Sequence, residues 1–380
     1  MRACLLTGVR ELELRDLPRP QPGPRDVLLE VAAVGVCGTD FHIVSGEANY
    51  NLDAEGRPVP LERAPQLLGH EFCGTVRDVG DAVRDLVPGD RVVVDQGINC
   101  TSAARETPCE YCASGDSHQC EHYLEHGITG LPGAFAEFVA VPAVNCVKLA
   151  DSLAFEEAAL TEPLACVLHS SERAARANTR YAIGADDPAR RVRTAVVLGA
   201  GPAGLLFVQH LLRVAGFDGT VVVSDPNPQK RALAESFGAV AVDPDAEDVV
   251  AFVREATGGR LAEYLVEATG SGTVWELLPQ LVRKQATVLQ YGVGHGAAPL
   301  GHLNQVQWKE PTLMLSVGAT GGFDADGRPT IYRRAARLFE EGRVEAGPLL
   351  THRYEGLDAV PAALLGAGGE AGYVKGVVVL

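Results

Sequence analysis

The chain has 380 residues, of which 46% are hydrophobic, and a formal net charge of −16. This length suits two domains better than one, and the hydrophobic content supports full cores and argues against disorder. The negative charge disfavours nucleic acid and anionic membrane surfaces as partners, because phosphate binding requires clustered lysine and arginine. We expect no signal peptide and no membrane span, since the most apolar run, 195–216, is interrupted by glycines and polar residues.

The cysteines are nine in number, with four of them inside one short window. An odd count with this clustering argues against the disulfide framework of a secreted protein. Metal ligation in a reducing compartment fits the pattern better, so we predict a cytoplasmic location. The cysteines outside the metal motifs are interpreted as small buried apolar residues.

Apolar and alternating runs before residue 37 predict strands separated by proline-rich turns. The last run leads into Cys37-Gly38-Thr39-Asp40-Phe41-His42, which brings a thiol, a hydroxyl and an imidazole together. Thr39 either caps the following turn or helix or lies beside a substrate oxygen. His42 is either an ordinary histidine or a carrier of that oxygen's proton to solvent. The polar loop 45–65 that follows is either a pocket edge or an exposed insertion.

A mixed set of metal ligands comes from separated parts of the chain. His70 and Glu71 are adjacent and follow a glycine that permits a tight turn. Glu162 lies in an apolar neighbourhood, where a buried acid requires a cation or a metal; the alternative is a surface acid in a first helical turn. Cys37, His70 and either Glu71 or Glu162 therefore match a catalytic zinc site, which uses three protein ligands and keeps one position open.

A second metal motif is local. Two residues separate Cys109 from Cys112, and seven separate Cys112 from Cys120. Upstream, eight residues separate Cys100 from Cys109. Four thiolates satisfy tetrahedral zinc without an open position, so this motif predicts a closed, structural site. The alternative is a set of free or disulfide-paired thiols. Nearby histidines are left out because four cysteines already complete the site.

From residue 195 onward strands and helices alternate. An apolar strand is followed by Gly199-Ala200-Gly201-Pro202-Ala203-Gly204, then by a helix and a second strand that ends at Asp225. In this context the glycines form the turn of a dinucleotide site, allow close approach of the pyrophosphate and let helix and strand pack. Asp225 would bind the adenosine ribose hydroxyls and repel a 2′-phosphate, which favours NAD over NADP. The nearby Lys230 and Arg231 count against this preference, but they are interpreted as helix-surface residues flanking the adenine.

Further strands complete the predicted cofactor site. Thr269 and Gly292 follow the ends of two of them and are included among the cofactor-binding residues. The strand at 312–317 either pairs with its twin at the sheet edge, giving a homodimer or homotetramer, or is covered. Residues 330–342 are predicted to be helical and 372–380 to form a closing strand.

These motifs together resemble a zinc-dependent medium-chain dehydrogenase/reductase, most closely the sorbitol- and threonine-dehydrogenase-like members. The resemblance implies an α/β fold, with a GroES-like β-rich catalytic domain and a Rossmann domain containing a doubly wound parallel sheet. It implies a catalytic domain at 1–165, an NAD-binding domain at 166–324 and a return segment at 325–380 that completes the first. It also implies one catalytic and one structural zinc. The family's cysteine lobe usually begins Cys-x2-Cys, whereas here eight residues separate Cys100 from Cys109.

The expected function is transfer of a hydride from the secondary alcohol of a polyol, sugar or cyclitol to NAD, giving a ketone. Zinc would stabilise the alkoxide, while Thr39 and His42 would remove the proton. The partner is then a small-molecule alcohol. One alternative is an amino-alcohol dehydrogenase acting on threonine-like substrates, and another is a non-catalytic binding protein on the same fold.

Overall fold

A computed structural model describes residues 1–294, 303–319, 322–366, 370 and 372–380. Its strands are, in chain order, β1 Arg2–Gly8, β2 Glu11–Asp16, β3 Asp26–Val36, β4 Gln66–Leu67, β5 Glu71–Val79, β6 Arg91–Val94, β7 Gly97–Ile98, β8 Leu124–Glu125, β9 Phe138–Pro142, β10 Cys146–Lys148, β11 Thr194–Leu198, β12 Thr220–Ser224, β13 Val240–Val242, β14 Ala262–Glu267, β15 Val282–Gln290, β16 Thr312–Leu315, β17 Leu350–Glu355 and β18 Lys375–Val379.

The α-helices are α1 Gly38–Ser45, α2 Glu110–Ser114, α3 Phe155–Ala158, α4 Thr161–Arg176, α5 Pro202–Gln209, α6 Pro228–Ser236, α7 Val249–Ala256, α8 Leu278–Leu281, α9 Leu303–Gln307, α10 Thr330–Glu340 and α11 Val360–Leu365. Among the described residues, none of these helices combines the length and the apolar character needed to cross a membrane.

The chain forms two compact units. The first contains Met1–Ala165, Ala319–Gly342 and Ala346–Leu380, and the second contains Cys166–Gly318 and Arg343–Glu345. The return therefore begins at Ala319, six residues before the predicted 325. Arg343–Glu345 belongs to the second unit because its backbone and side chains bond to the end of α5 and the turn after it, at Gln209 and Arg213. The assignment of a catalytic and an NAD-binding role to these parts stays a prediction.

The first unit is built mainly from antiparallel strands. Its largest sheet has seven strands in the order β10-β6-β5-β3-β18-β17, with β9 also paired to β3. Apolar side chains of β3, β5 and β6, including Leu29, Phe72 and Val92, are buried in its core. The strand β3 lies between β5 and β18, so residues from two distant parts of the sequence flank it on either side. This placement decides which side chains meet near Cys37, directly after β3.

The second unit contains a six-stranded sheet in the order β13-β12-β11-β14-β15-β16, and every pairing in it is parallel. Counted along the chain this is the order 3-2-1-4-5-6 of the dinucleotide-binding fold. The strands β11 and β12 are almost entirely buried and rich in valine, as expected where helices cover both faces. The order reverses beside β11, so the Gly199–Gly204 turn lies where such sheets bind ligands.

Several predicted elements are confirmed with shifted bounds, and two helices differ. Residues 152–177, whose alanine-rich spacing predicts one helical stretch, form two helices, α3 and α4, because the chain turns at Ala159 and Leu160 and Pro163 lies in the first turn of the second helix. The helix predicted to follow the glycine turn, α5, already begins inside that turn, at Pro202. It continues into a π-helical turn at His210–Val214. The last strand of the sheet, β16, does lie at the edge.

Candidate metal centres and dinucleotide site

Cys37 is positioned by the end of a strand and the start of a helix. It is the residue before α1 and has an extended backbone, so its side chain lies at the helix N-terminus. The backbone N–H of Cys37 donates to Asp40 Oδ2 at 2.9 Å, which fixes this first turn.

The predicted mixed site forms from three residues. One ligand atom each from Cys37, His70 and Glu71 lie within 4.8 Å of one another, and both His70 and Glu71 are buried. His70 precedes β5 and Glu71 begins it, while β3 beside β5 leads into Cys37. One sulfur, one imidazole nitrogen and one carboxylate oxygen at this spacing fit a zinc ion.

A buried carboxylate orients His70. Asp40 is completely buried, and its Oδ1 lies 3.5 Å from His70 Nδ1, with neither atom making a hydrogen bond within the described residues. Burial lowers the pKa of His70, but the charges of Asp40 and Cys37 raise it, and the net pKa lies well above its usual value. An imidazole whose Nδ1 faces a carboxylate presents Nε2 to a metal, the usual arrangement behind a zinc-bound histidine.

Glu71 is paired with a lysine across the intervening strand. Lys375 Nζ lies 2.6 Å from Glu71 Oε1 and 2.5 Å from Oε2, and both side chains are almost fully buried. Glu71 pairs with Gly35 of β3, and a Cβ on Gly35 would lie 2.0 Å from Glu71 Oε2. Glycine at this position therefore leaves the room that the ion pair occupies. Burial lowers the pKa of Lys375, but Glu71 and Cys37 raise it above its usual value.

Glu162 belongs to a different network. It is buried near the start of α4 and does not join the group of Cys37, His70 and Glu71 among the described residues. Gln96 Nε2 donates to Glu162 Oε1 at 3.2 Å and to Glu125 Oε1 at 3.4 Å, while Tyr332 Oη donates to Gln96 Oε1. Burial raises the pKa of nearby Asp95 to about 7, and the charges of Glu162 and Glu125 add to this effect.

Thr39 and His42 share one face of α1, because residues three apart on a helix are neighbours. Both are partly buried. His42 Nδ1 lies 2.7 Å from Glu47 Oε2, and the Glu47 side chain is 66% exposed. Thr39 and His42 on α1, with Glu47 just beyond its end, therefore place a hydroxyl, an imidazole and a solvent-facing carboxylate in one region. Glu47 was not predicted as part of this series.

The four lobe cysteines converge as predicted. One sulfur from each lies within 4.8 Å of the others, and all nine cysteines of the chain are free thiols rather than disulfides. Cys100 and Cys120 are buried, and their sulfurs lie 3.6 Å apart. Hydrogen bonds from the backbone of Cys112 and Glu121 lower the pKa of Cys109 to about 6. Four sulfurs at this spacing fit a tetrahedral zinc, and the long spacing after Cys100 does not prevent its sulfur from joining them.

The three glycines of the turn differ in backbone conformation and in what a side chain at each would contact. Gly199 has a φ of +95°, which favours glycine. A Cβ on Gly201 would meet no atom within 4 Å, so this face of the turn is open. A Cβ on Gly204 would lie 1.9 Å from Gly199 O, so only glycine allows α5 to pack this closely. The turn thus fits a pyrophosphate at Gly201, ahead of the helix that starts at Pro202.

The remaining predicted cofactor residues lie at the carboxyl ends of the strands. Asp225 follows β12 and accepts the backbone N–H of Ala200 from the glycine turn at 2.8 Å. Thr269 follows β14, and its backbone N–H donates to Glu267 Oε1 at 2.7 Å. Gly292 follows β15, and its N–H donates to the backbone carbonyl of Glu267 at 2.9 Å.

Comparison with known proteins identifies the family. Residues 23–151 match the alcohol dehydrogenase GroES-like domain, and residues 202–340 match the zinc-binding dehydrogenases. The L-galactonate-5-dehydrogenase of Escherichia coli (strain K12) is 32% identical over 356 residues, or 93% of this chain and 92% of that one. The chain is a zinc-dependent medium-chain dehydrogenase/reductase. Its fold class and its zinc-dependent oxidoreductase chemistry are thereby confirmed.

Two further relatives of this dehydrogenase show how the family varies. The L-threonine 3-dehydrogenase of Pyrococcus horikoshii is 31% identical over 347 residues, covering 91% of this chain and 89% of that one. A solved structure from Sinorhizobium meliloti 1021, described as a zinc-binding dehydrogenase bound to NADP, is 32% identical with a TM-score of 0.81. It covers 100% of this chain and 99% of that one.

Some functional candidates of the dehydrogenase were missed from the sequence. Asp40 lies inside the Cys37–His42 motif, three residues from the cysteine, and this spacing was an available signal for a helix-capping acid. Lys375 has no local signal, because its contact with Glu71 joins residues 304 positions apart. Gln96 likewise reaches Glu162 from 66 positions away.

Proposed function

We propose that this dehydrogenase transfers a hydride from the secondary alcohol of a polyhydroxy compound, such as a polyol, sugar or sugar acid, to NAD. The observation that carries the proposal is the group of Cys37, His70 and Glu71 beside the helix that holds Thr39 and His42. The group supplies ligands for a metal that activates an alcohol, and the helix supplies groups that accept its proton.

Cys37, His70 and Glu71 would hold the catalytic zinc, whose chemistry is to act as a Lewis acid that lowers the pKa of the alcohol. Asp40 orients His70 through Nδ1, and Lys375 neutralises Glu71, so the ligand set as a whole stays close to charge balance. Glu162, held by Gln96, stays the alternative carboxylate. The four lobe cysteines would hold the structural zinc.

The proton leaves along α1. Thr39 Oγ1 accepts the proton of the substrate hydroxyl as it passes its own proton on, and His42 receives the charge on its imidazole. Glu47 at 2.7 Å stabilises the imidazolium, and its exposed carboxylate delivers the proton to solvent.

The dinucleotide is bound by the second unit. The open face at Gly201 receives the pyrophosphate, and the Asp225 carboxylate accepts hydrogen bonds from the adenosine ribose, with Thr269 and Gly292 at neighbouring strand ends. Asp225 favours NAD because its charge repels a 2′-phosphate. The structure from Sinorhizobium meliloti is bound to NADP. The choice between NAD and NADP therefore has to be measured for this chain.

The substrate class rests on the relative that acts on L-galactonate, a polyhydroxy acid. The test is NADH formation, followed by absorbance, with a panel of sugar acids, polyols and inositols, each with and without a chelator. Turnover of one of them that is lost with the chelator is expected. If protein with zinc and NAD bound turns over no alcohol in the panel, the proposal is wrong.

A second candidate function is oxidation of threonine or a similar amino alcohol, favoured by the 31% identity to the L-threonine 3-dehydrogenase. Threonine belongs in the same panel. A kcat/KM for threonine above that for every polyhydroxy compound would replace the first proposal with this one.

We also propose that the chain forms a homodimer through β16 and that it is cytoplasmic. Within the described residues β16 pairs only with β15, and Leu315 and Val317 are 67% and 62% exposed. An exposed apolar edge strand pairs readily with its own copy about a two-fold axis. Light scattering after size exclusion should give twice the chain mass, and Leu315→Lys should give monomers. A monomeric wild-type protein would contradict this.

A further inference from the structure

Two acids lie side by side at the edge of the sheet where the dinucleotide is expected. The parallel strands β12 and β13 pair Ser224 with Val242, and the next residues are Asp225 and Asp243. The backbone N–H of Asp225 donates to Val242 O at 3.4 Å, which keeps the two strand ends together. The carboxyl ends of parallel strands are the ligand-binding edge of such a sheet.

One arginine lies between these acids. Arg231 is in the first turns of α6, which Asn227 caps by accepting the backbone N–H groups of Gln229 and Lys230. Its Nη2 lies 2.7 Å from Asp243 Oδ2. Its Nη1 donates to the backbone carbonyls of Asp225 and Pro226, each at 2.8 Å.

These contacts change the interpretation of Arg231. Its side chain is only 18% exposed, and its charge is paired with Asp243. It holds the turn that carries Asp225, so it is a support of the ribose site and not merely a surface residue beside the adenine. Within the described residues Lys230 forms no ion pair with either acid, so Arg231 is the cation placed at Asp225.

A 2′-phosphate on the ribose would require an unpaired cation at the place where Asp225 is proposed to accept the ribose hydroxyls. Arginine is the side chain best suited to phosphate, because its planar fork of donors matches the phosphate oxygens. Arg231 already lies 2.8 Å from the backbone carbonyl of Asp225. What prevents it from serving a phosphate is the pairing with Asp243 together with the charge of Asp225.

We propose that Asp243 is a specificity-determining residue for the dinucleotide, because it neutralises and holds Arg231. This inference rests on the proposed use of NAD at the Asp225 site. In this scheme two acids maintain the choice of NAD. Asp225 repels the 2′-phosphate directly, and Asp243 withholds the cation that would bind it. Removing Asp225 alone therefore weakens NAD without creating a phosphate site.

The experiment measures dissociation constants for NADH and NADPH by fluorescence titration of the zinc-loaded protein without substrate. Asp225→Ser should weaken NADH about tenfold and leave NADPH weak, since one lost hydrogen bond to a charged group has about this effect. Adding Asp243→Asn should strengthen NADPH about tenfold or more. Adding Arg231→Met to that double variant should remove the gain, which identifies the arginine as its source.

Two outcomes would overturn the inference: equal NADPH affinity of Asp225→Ser with and without Asp243→Asn, or a gain that survives Arg231→Met. The single variant Asp243→Asn provides a second measurement in case the combined variants fold poorly. It should lower the ratio of the NADPH to the NADH dissociation constant, and an unchanged ratio contradicts the proposal. Because these titrations contain no alcohol, their failure is distinct from a failure of wild-type turnover with NAD.

Discussion

The two candidate metal centres of the first unit are assembled in opposite ways. The cysteine lobe takes four identical donors from residues 100–120, so its ligand set is local and closed. The centre at Cys37 takes three different donors from strands that meet only in the folded sheet, and its ligands are in turn held by Asp40 and Lys375. A local, uniform site stabilises a loop, whereas a mixed site supported from a distance keeps the unequal ligands that catalysis requires.

Removal of Cys37 gives the largest expected effect and tests whether this centre is the catalytic one. Cys37→Ser should lower kcat/KM about a thousandfold, since a Lewis acid contributes about 4 kcal/mol to the transition state. Zinc measured by atomic emission should fall by one ion per chain. Cys4→Ala, a buried cysteine outside both groups, is the matched control and should keep its zinc. A fully active Cys37→Ser would remove the distinction between the two centres.

Lys375→Met tests the distant support of the mixed site. It leaves the Glu71 carboxylate buried and unpaired, which should cost about 3 kcal/mol in the free energy of unfolding. The double variant with Glu71→Gln should recover part of this loss, because no buried charge remains. Urea unfolding in the presence of a chelator measures both. A single variant as stable as wild type would show that the ion pair does not hold Glu71.

The same variant should be less destabilised when zinc is present, because an unpaired Glu71 has a cation to bind. Equal losses with zinc and with chelator would contradict a metal at this carboxylate. The comparison thus separates a structural ion pair from a ligand that is shared between lysine and metal.

Cys112→Ser tests the closed site. Loss of one of four thiolates should release one zinc per chain and lower the free energy of unfolding by about 2 kcal/mol, or the Tm by about 4–8 °C. The value of kcat/KM should stay near that of wild type at temperatures below the transition. Ser114→Ala, two residues away in the same lobe, is the control. A loss of activity without a loss of stability would make the lobe part of the reaction.

The smallest expected effect concerns the acids around Glu162. Burial raises the pKa of Asp95 to about 7, so the folded protein binds this proton more tightly than the unfolded chain. Its stabilising contribution is therefore present at low pH and is lost between about pH 4 and pH 7 as the carboxyl ionises.

Asp95→Asn removes this dependence. As the pH rises from 5 to 8, the free energy of unfolding of the variant should therefore increase by about 1 kcal/mol relative to that of wild type, allowing for the partial exposure of Asp95. Urea unfolding at the two pH values checks it, with the exposed Asp151→Asn as control. A variant that is more stable than wild type at pH 5 but not at pH 8 would contradict this prediction.

Features whose parts are close along the chain could be predicted from the amino-acid sequence. The four lobe cysteines, the glycine turn at 199–204 and the Cys37–His42 run each contain their chemistry within a few residues, and spacing indicates it directly. The alternation of strands and helices after residue 195 indicated the α/β class of the second unit, because its first two strands are nearly continuous apolar runs.

The residues that support these motifs could be identified only in the folded protein. Lys375 meets Glu71 because β18 and β5 flank β3 and Gly35 leaves room between them. Arg231 forms an ion pair with Asp243 because β12 and β13 end side by side. Glu162 is bonded to Gln96 rather than grouped with Cys37. Such contacts depend on strand order and on the space between side chains, which the spacing of residues along a chain does not encode.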